Sequence, residues 1–192
     1  MTRIVAVCAR SSMAEQLPFK QTAVGSSPTG RTPILNYPMK KLIIYASTHH
    51  GNTKRVAKEM GAFLNAEVVS FSQVKREDIY NANLVGFGSG VYFRKFHEEM
   101  INLIEELPKM DGKKVFLFST HGTSISLFNK SHSHIKKILK RKNVSIVGEF
   151  SCPGFDTYGI LKLIGGINRN RPNEEDIKKA RNFAKGLLER EV

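Results

Sequence analysis

The sequence has 192 residues, of which 41% are hydrophobic and 24% charged, a composition that suits a single globular domain. No apolar run approaches the roughly 20 residues that a membrane-spanning helix needs. The formal net charge of +13 favours an anionic partner, which can be nucleic acid, an acidic protein or an anionic membrane surface. Cys8 and Cys152 lie far apart and provide no disulfide framework, so we expect a cytoplasmic protein.

Residues 1–38 differ in character from the rest of the chain. They contain clusters of Ser, Thr, Pro and Gly and no sustained hydrophobic period. Residues 11–32 back-translate to a sequence that resembles a transfer-RNA gene, with a T arm over the GSSP segment at 25–28. We therefore expect residues 1–38 to be a disordered leader or a gene-model artefact, with Met39 as the native start. Residues 39–192 are then the functional domain.

From Met39 onwards, β-prone apolar runs alternate with segments of helical periodicity. A glycine-bearing connection over residues 155–171 precedes the last helix, which Asn173 and Asp176 begin as a capping box. Five buried strands separated by helices predict an α/β fold, a doubly wound parallel sheet with helices on both faces. The predicted strands are residues 42–46, 67–71, 84–88, 114–118 and 144–150, and the predicted helices are residues 52–64, 94–107, 129–142 and the segment after Asn173.

Three loops rich in small or hydroxyl residues follow predicted strands. Parallel sheets bind ligands beyond the carboxyl ends of their strands, so loops in phase at that edge indicate a binding site. The first loop leads into a helix, whose free N–H groups and dipole favour a phosphate; the alternative is an ordinary turn with a hydroxyl cap. The three loops are Ser47, Thr48, His49, His50, Gly51, Asn52 and Thr53; Gly88, Ser89, Gly90, Val91, Tyr92 and Phe93; and Ser119, Thr120, His121, Gly122 and Thr123.

These residues resemble the flavodoxin family. Its phosphate loop has the pattern hydroxyl-x-Thr-Gly-x-Thr, which residues 48–53 match except that His50 replaces a threonine. The loop lacks the lysine of a P-loop, and the other two loops match the regions of the family that contact the flavin ring. The resemblance implies an FMN cofactor, a five-stranded sheet of order 2-1-3-4-5 and a function in electron transfer.

The resemblance also implies roles for single residues. Thr48, Thr53 and the N–H groups between them would hold the FMN phosphate. Tyr92 would stack on the isoalloxazine ring, with Phe93 and His121 near its other edge. Gly88 or Gly90 would turn a carbonyl toward the reduced flavin.

Two further functions remain open at this stage. Residues 90–97 resemble the menaquinone-dependent protoporphyrinogen oxidase family, so an FMN-dependent oxidoreductase of the quinone or protoporphyrinogen oxidase type is the alternative to a carrier. A non-redox basic adaptor or a nucleic-acid-binding protein is the third class, which lacks a recognisable motif.

The positive charge departs from the acidic character typical of flavodoxins that carry electrons. We therefore expect an acidic redox partner or a quinone, with peripheral contact at an anionic membrane surface. The basic run over residues 136–142 is interpreted as a solvated helix face. The residues predicted to form the membrane contact are Lys162, Arg169 and Arg171 with Leu161, Leu163, Ile164 and Ile167.

His132 and Cys152 have both a chemical and a structural interpretation. His132 and His134 have a spacing that metals use, but no cysteine or carboxylate accompanies them, which favours hydrogen-bonding or solvated histidines. Cys152 follows a buried strand, which favours a packed, inert thiol over a redox thiol.

Overall fold

A computed structural model describes residues 39–122 and 128–190 of the chain. The predictions for residues 1–38 and for Thr123 lie outside the described residues. The elements in chain order are β1 (Lys41–Ala46), α1 (Asn52–Leu64), β2 (Glu67–Ser70), α2 (Arg76–Asn81), β3 (Leu84–Gly90), α3 (Glu98–Glu106), β4 (Lys114–His121), α4 (Phe128–Arg141), β5 (Ser145–Pro153), a 3-10 helix (Gly159–Lys162) and α5 (Glu174–Glu189).

The five strands form one parallel sheet of order β2-β1-β3-β4-β5, which confirms the predicted fold class and strand order. Ile43 pairs with Val68 of β2 on one side and with Gly86 of β3 on the other. The chain reverses its direction of winding between β1 and β3, so these two strands flank the point where such sheets bind ligands.

Helices cover both faces of the sheet because successive strand residues point to opposite sides. Ile44 and Leu117 face a core that α3 and α4 complete with Ile104 and Ile138. The opposite core contains Ile43 and two phenylalanines of β4, closed by apolar residues of α1 and α5. This burial on both faces explains why the strands have continuous apolar sequences.

Several boundaries differ from the sequence-based predictions. The short helix α2 was not predicted, because its six residues lack a visible helical period. The helix predicted from residue 94 begins at Glu98, because residues 92–95 form a tight turn instead. Strands β3, β4 and β5 each continue beyond their predicted ends, to Gly90, His121 and Pro153.

Lysine side chains donate to the last carbonyl groups of three helices. Lys41 Nζ lies 3.4 Å from the Leu64 carbonyl oxygen, and Lys113 Nζ lies 2.7 Å from that of Ala82. Lys142 Nζ donates to the Glu105 carbonyl oxygen at 2.6 Å. Cations at these positions are attracted to the negative, carboxyl-terminal end of each helix dipole and stabilise the helix end. The basic run over residues 136–142 is therefore only partly a solvated face.

The start of α5 shows the predicted capping box. Asn173 Oδ1 accepts from the Asp176 N–H at 3.0 Å, and the Asn173 N–H donates to Asp176 Oδ2 at 2.9 Å. Arg171 Nη1 donates to the same carboxylate oxygen at 2.7 Å, which fixes the end of the long connection to α5.

Cys152 is buried in the core beside α5, and burial raises the pKa of its thiol to about 12. A thiol that stays protonated is a poor nucleophile, in agreement with the interpretation as an inert core residue. Among the residues that the structure describes, no helix has the length and apolarity to cross a membrane.

We predict that Gly88→Ala lowers the free energy of unfolding by about 1–3 kcal/mol. A Cβ at Gly88 would lie 1.9 Å from Phe118 Cζ, so the phenylalanine ring of the neighbouring strand would have to move. Gly186→Ala is the matched control, because nothing lies within 4 Å of its Cβ position on α5. It should stabilise the protein by about 0.5–1 kcal/mol. Urea denaturation measures both, and equal effects would contradict the packing role of Gly88.

Candidate functional site

A cavity of about 300 Å³ opens at the carboxyl ends of β1, β3 and β4. Its volume lies at the lower end of the roughly 300–1,000 Å³ typical of ligand sites. The three loops singled out from the sequence meet there, as expected for a parallel sheet. The predicted residues that line the cavity are Ser47, His49, Asn52, Thr53, Gly90, Val91, Tyr92, Phe93, Thr120, His121 and Gly122.

The first turn of α1 forms one end of the cavity. Gly51 precedes the helix with φ at 68°, a left-handed conformation that glycine adopts at little cost, and no described side chain caps the helix. The first intrahelical bond is donated by the Arg55 N–H to the Gly51 carbonyl oxygen at 2.9 Å. The N–H groups before Arg55 therefore have no partner within the helix, and the positive end of its dipole favours an anion.

Ser47 lies on the cavity wall between β1 and α1. Its Oγ atom is buried and has no hydrogen-bond partner within the described part of the chain. A buried hydroxyl without a partner costs about 1–3 kcal/mol, so its position calls for a ligand oxygen. Beside the free N–H groups of the first turn of α1, this hydroxyl adds a further hydrogen-bond donor for an anion.

The threonines predicted to bind phosphate have partners within the protein. Thr53 Oγ1 is buried and lies 2.8 Å from Thr120 Oγ1, a contact that joins α1 to β4. The Thr48 hydroxyl is hydrogen-bonded to the Tyr92 hydroxyl, a contact that joins the first two loops. Both threonines thus hold the loops together, whereas the Ser47 hydroxyl has no partner among the residues that the structure describes.

Tyr92 occupies the middle of the site. Its ring meets the His49 ring edge-on at 6.2 Å between centroids and the His97 ring at 5.7 Å. A Cβ at Gly90 would lie 3.0 Å from the Tyr92 hydroxyl oxygen, so the glycine allows the ring to lie close to β3. The predicted contact of this ring with a flavin stays a prediction.

The turn after Tyr92 is strained. Tyr92 and Lys95 exchange two backbone hydrogen bonds of 2.9 Å, with Phe93 at φ 47° and Arg94 at φ 68° between them. Left-handed conformations of bulky residues cost of order 1–3 kcal/mol each and concentrate at functional sites. The turn directs Phe93 outward, 80% exposed, with its ring edge-on to Tyr158 at 5.5 Å.

The sequence-based predictions missed the rest of the cavity lining. It comprises Arg94 of the turn after Tyr92 and, from the connection after β5, Gly154, Phe155, Asp156 and Tyr158. Asp156 Oδ1 accepts from the Tyr158 N–H at 2.8 Å, which keeps this carboxylate at the cavity. The sequence pattern could have predicted the wall formed by the connection after β5, because these aromatic and small residues follow a strand that ends at the same edge of the sheet.

His50 and Asn52 fasten this wall to the first loop. Asn52 Nδ2 donates to the Phe155 carbonyl oxygen at 2.7 Å. His50 Nε2 lies 2.7 Å from Thr157 Oγ1, and the His50 ring lies against that of Phe155 at 4.2 Å. His50 is not part of the cavity lining, and neither are Thr48, Gly51, Gly88, Ser89 and Ser119.

Ser89 and the two glycines of β3 shape the second loop. Ser89 Oγ accepts from the His97 N–H at 2.8 Å and donates to the Gly90 carbonyl oxygen at 2.7 Å. Neither Gly88 nor Gly90 has a positive φ. Gly88 lacks room for a side chain because of Phe118, so a packing requirement explains it without a cofactor.

Ser119 belongs to a buried polar network on the other face of the sheet. Its Oγ lies 3.0 Å from His132 Nε2, and His132 Nδ1 lies 3.0 Å from Glu149 Oε2. Lys136 Nζ donates to the same carboxylate at 2.8 Å. Burial lowers the pKa of His132 to about 4, which outweighs the opposite influence of Glu149. His132 is therefore a neutral, hydrogen-bonding histidine, the interpretation that its sequence favoured.

Comparison with known families agrees with this architecture. A family model described as the flavodoxin domain matches residues 42–150. The chain belongs to the flavodoxin family. An uncharacterised protein of Methanocaldococcus jannaschii is 46% identical to this chain over 150 residues. The aligned region covers 78% of this flavodoxin-family chain and 99% of that protein. Members of the family typically bind FMN.

Solved structures show the same fold. A short-chain flavodoxin associated with a non-canonical PDU bacterial microcompartment has a TM-score of 0.62 and 20% identity, covering 80% of this chain and 99% of its own. Oxidised flavodoxin 2 from Bacillus cereus has a TM-score of 0.60 and 21% identity, covering 79% and 99%. An apo NADH:FMN oxidoreductase has a TM-score of 0.59 and 12% identity, covering 78% and 88%. Flavodoxins and an oxidoreductase have similar TM-scores to this chain, so the fold alone does not distinguish an electron carrier from an oxidoreductase.

We predict that the protein loses stability as the pH falls from about 6.5 to about 4. The unfolded chain binds a proton at His132 near its ordinary pKa of 6.5, whereas burial lowers the pKa in the folded protein to about 4. The free energy of unfolding therefore falls between these pH values, by about 3 kcal/mol at pH 4.

The measurement is urea denaturation across this pH range, together with NMR titration of the His132 ring. His132→Gln should remove this part of the pH dependence, whereas the control His134→Gln, on the exposed surface of α4, should retain it. A His132 ring that titrates near 6.5 would contradict the burial account.

Proposed function

We propose that this chain binds FMN non-covalently in the cavity and functions in electron transfer. The observation that carries the proposal is that three features meet in one cavity: a helix start and a buried hydroxyl, both without a partner side chain among the described residues, and an aromatic wall. The first two features suit a phosphate, and the third suits a flat ring system. Family membership supports the same cofactor.

The phosphate would lie at the first turn of α1. Ser47 would donate its hydroxyl hydrogen to a phosphate oxygen, and the N–H groups of Asn52 and Thr53 would donate from the helix start. The positive end of the helix dipole adds to the attraction. Neither of the predicted threonine hydroxyls is needed, since Thr48 and Thr53 already have partners.

The ring system would lie between Tyr92 and the residues that follow β4 and β5. When bound, FMN supplies the redox chemistry, and the protein contributes placement and electrostatics. His121 and Asp156 line this part of the cavity and would set the polarity around the ring. The Gly90 carbonyl is held by Ser89 Oγ at 2.7 Å, so turning it toward the ring would require this bond to break.

A second candidate is an FMN-dependent oxidoreductase that acts on a quinone or a similar acceptor. The observation that favours it is the exposed aromatic pair at the cavity, in which Phe93 is 80% and Tyr158 55% exposed. These rings offer a flat acceptor a surface for stacking. Catalytic reduction of a soluble quinone by a nicotinamide donor would identify the oxidoreductase, whereas electron transfer to proteins alone would identify a carrier.

The partner of a carrier would be an acidic redox protein. This part of the proposal rests on the positive charge of residues 39–192, which contain 26 Lys and Arg against 16 Asp and Glu. Opposite charge accelerates encounters, and this acceleration falls with ionic strength. Its test is the salt dependence of reduction by an acidic electron donor protein. A rate that does not fall as salt is added would contradict it.

We predict that Ser47→Ala weakens FMN binding by about tenfold or more. The FMN-free protein should become more stable, by up to about 1–3 kcal/mol, because the variant no longer buries a hydroxyl without a described partner. The complex would lose one hydrogen bond to a charged acceptor, worth about 1.5–3 kcal/mol. The protein itself would lose no hydrogen bond to a described protein atom. Thr53→Ala should instead destabilise the FMN-free protein, because Thr120 loses its partner.

Titration of the full-length protein into FMN, followed by quenching of flavin fluorescence, measures the affinities. Ser145→Ala is the matched control, because this exposed serine begins β5 at the opposite edge of the sheet. It should bind FMN like the parent. If the parent does not bind FMN, or if Ser47→Ala binds as tightly as the parent, the assignment of the phosphate site is wrong.

A further inference from the structure

The connection between β5 and α5 contains an exposed apolar turn. Leu163 is 85% and Ile164 69% exposed, so these neighbouring aliphatic side chains have almost no packing partners. The turn is ordered by backbone hydrogen bonds, in which the Gly166 N–H donates to the Leu161 carbonyl oxygen at 2.7 Å. Arg169 Nε also donates to the Gly165 carbonyl oxygen at 2.9 Å. The fold thus presents apolar side chains on a defined turn.

Cations surround this turn. Lys162 precedes the two aliphatic residues and is exposed, and Arg169 follows them and is also exposed. Between residues 155 and 171 the sequence has a single acidic residue, Asp156. Its carboxylate accepts from the Tyr158 N–H and lines the cavity. The outer surface of the connection is therefore apolar and positively charged.

Aromatic residues link this surface to the cavity. Tyr158 is joined to Leu161 by a backbone hydrogen bond of 3.3 Å, at the start of the same connection. Its ring is 55% exposed and meets that of Phe93, which is 80% exposed and lines the cavity. We name Phe93, Tyr158, Lys162, Leu163, Ile164 and Arg169 the docking tip.

We propose that the docking tip binds the surface of an anionic lipid bilayer. Aliphatic side chains gain by entering the boundary between headgroups and acyl chains, aromatic rings favour the interface, and lysine and arginine attract anionic headgroups. An acidic protein would complement the cations, but it would also need an apolar pocket shaped to receive two protruding aliphatic side chains, which a bilayer does not need. The combined chemistry therefore favours lipid.

The consequence for electron transfer rests on the proposed function. Because Phe93 belongs to both the docking tip and the cavity wall, docking would bring the cavity close to the bilayer. An acceptor dissolved in the membrane, such as a quinone, would then reach the cofactor without crossing water. Lipid binding itself requires neither FMN nor a quinone, so its test is independent of the redox proposal.

The test is sedimentation of the full-length protein with vesicles of phosphatidylcholine and phosphatidylglycerol in equal parts, and with vesicles of phosphatidylcholine alone. Binding should occur with the anionic vesicles and weaken as salt is added. The double variant Leu163→Asn, Ile164→Asn should reduce the affinity by about tenfold or more. Lys162→Gln should reduce it by roughly fivefold, the effect of removing one cation near an anionic surface.

Matched controls come from α1. Phe63→Asn removes another large hydrophobic side chain, 43% exposed, and Lys58→Gln removes another exposed lysine. Both controls should bind vesicles like the parent. Circular dichroism spectra and denaturation curves of all variants would show whether the fold is retained.

Four outcomes would overturn the proposal. They are no sedimentation with anionic vesicles, binding that ignores lipid charge, binding that the double variant retains, and binding that the controls lose equally. Salt-sensitive retention on immobilised poly-glutamate that needs Lys162, without vesicle binding, would assign an acidic protein to the docking tip. A dimer that the double variant disrupts, again without vesicle binding, would assign a second copy of the chain.

Discussion

The start of α1 is the constraint on which the site depends. A helix start normally receives a side-chain cap, yet no described side chain caps α1, and the hydroxyl of Ser47 beside it lacks a described partner. The same chain caps the start of α5 with a complete capping box, so local capping is available where no ligand is needed. The uncapped end and the hydroxyl without a described partner together favour the proposed phosphate site more strongly than either does alone.

Contacts between residues far apart in sequence hold this end of α1 in place. Asn52 and His50 fasten it to the connection after β5, and Arg55 Nη1 donates to the Pro172 carbonyl oxygen at 2.9 Å. Thr53 joins the helix to β4 from within. A site held by packed elements on several sides is pre-organised, which lowers the entropic cost of binding a ligand. The strained turn at Phe93 is by contrast exposed, with 80% of the Phe93 side chain accessible to solvent.

The secondary structure could be predicted from the sequence because the hydrophobic periodicity of each strand and helix is visible within a short stretch of chain. Apolar runs and helical stripes predicted the five strands and four of the five α-helices, and the resemblance to a family supplied the strand order. The sequence could not reveal three contacts that depend on tertiary geometry. They are the packing of Phe118 against Gly88 and the hydrogen bonds of Ser119 with His132 and of His50 with Thr157. The role of Lys142 within the basic run was also missed, because a lysine that caps the end of another helix is indistinguishable in sequence from a solvated one.

The start of α1 is proposed to bind the phosphate of FMN, and NMR can test this on the full-length protein titrated with FMN and with riboflavin, which lacks the phosphate. The amide resonances of Asn52 and Thr53 should shift with FMN and much less with riboflavin, while Tyr92 should respond to both. Equal shifts of the α1 amides with both ligands, or none with FMN, would contradict it.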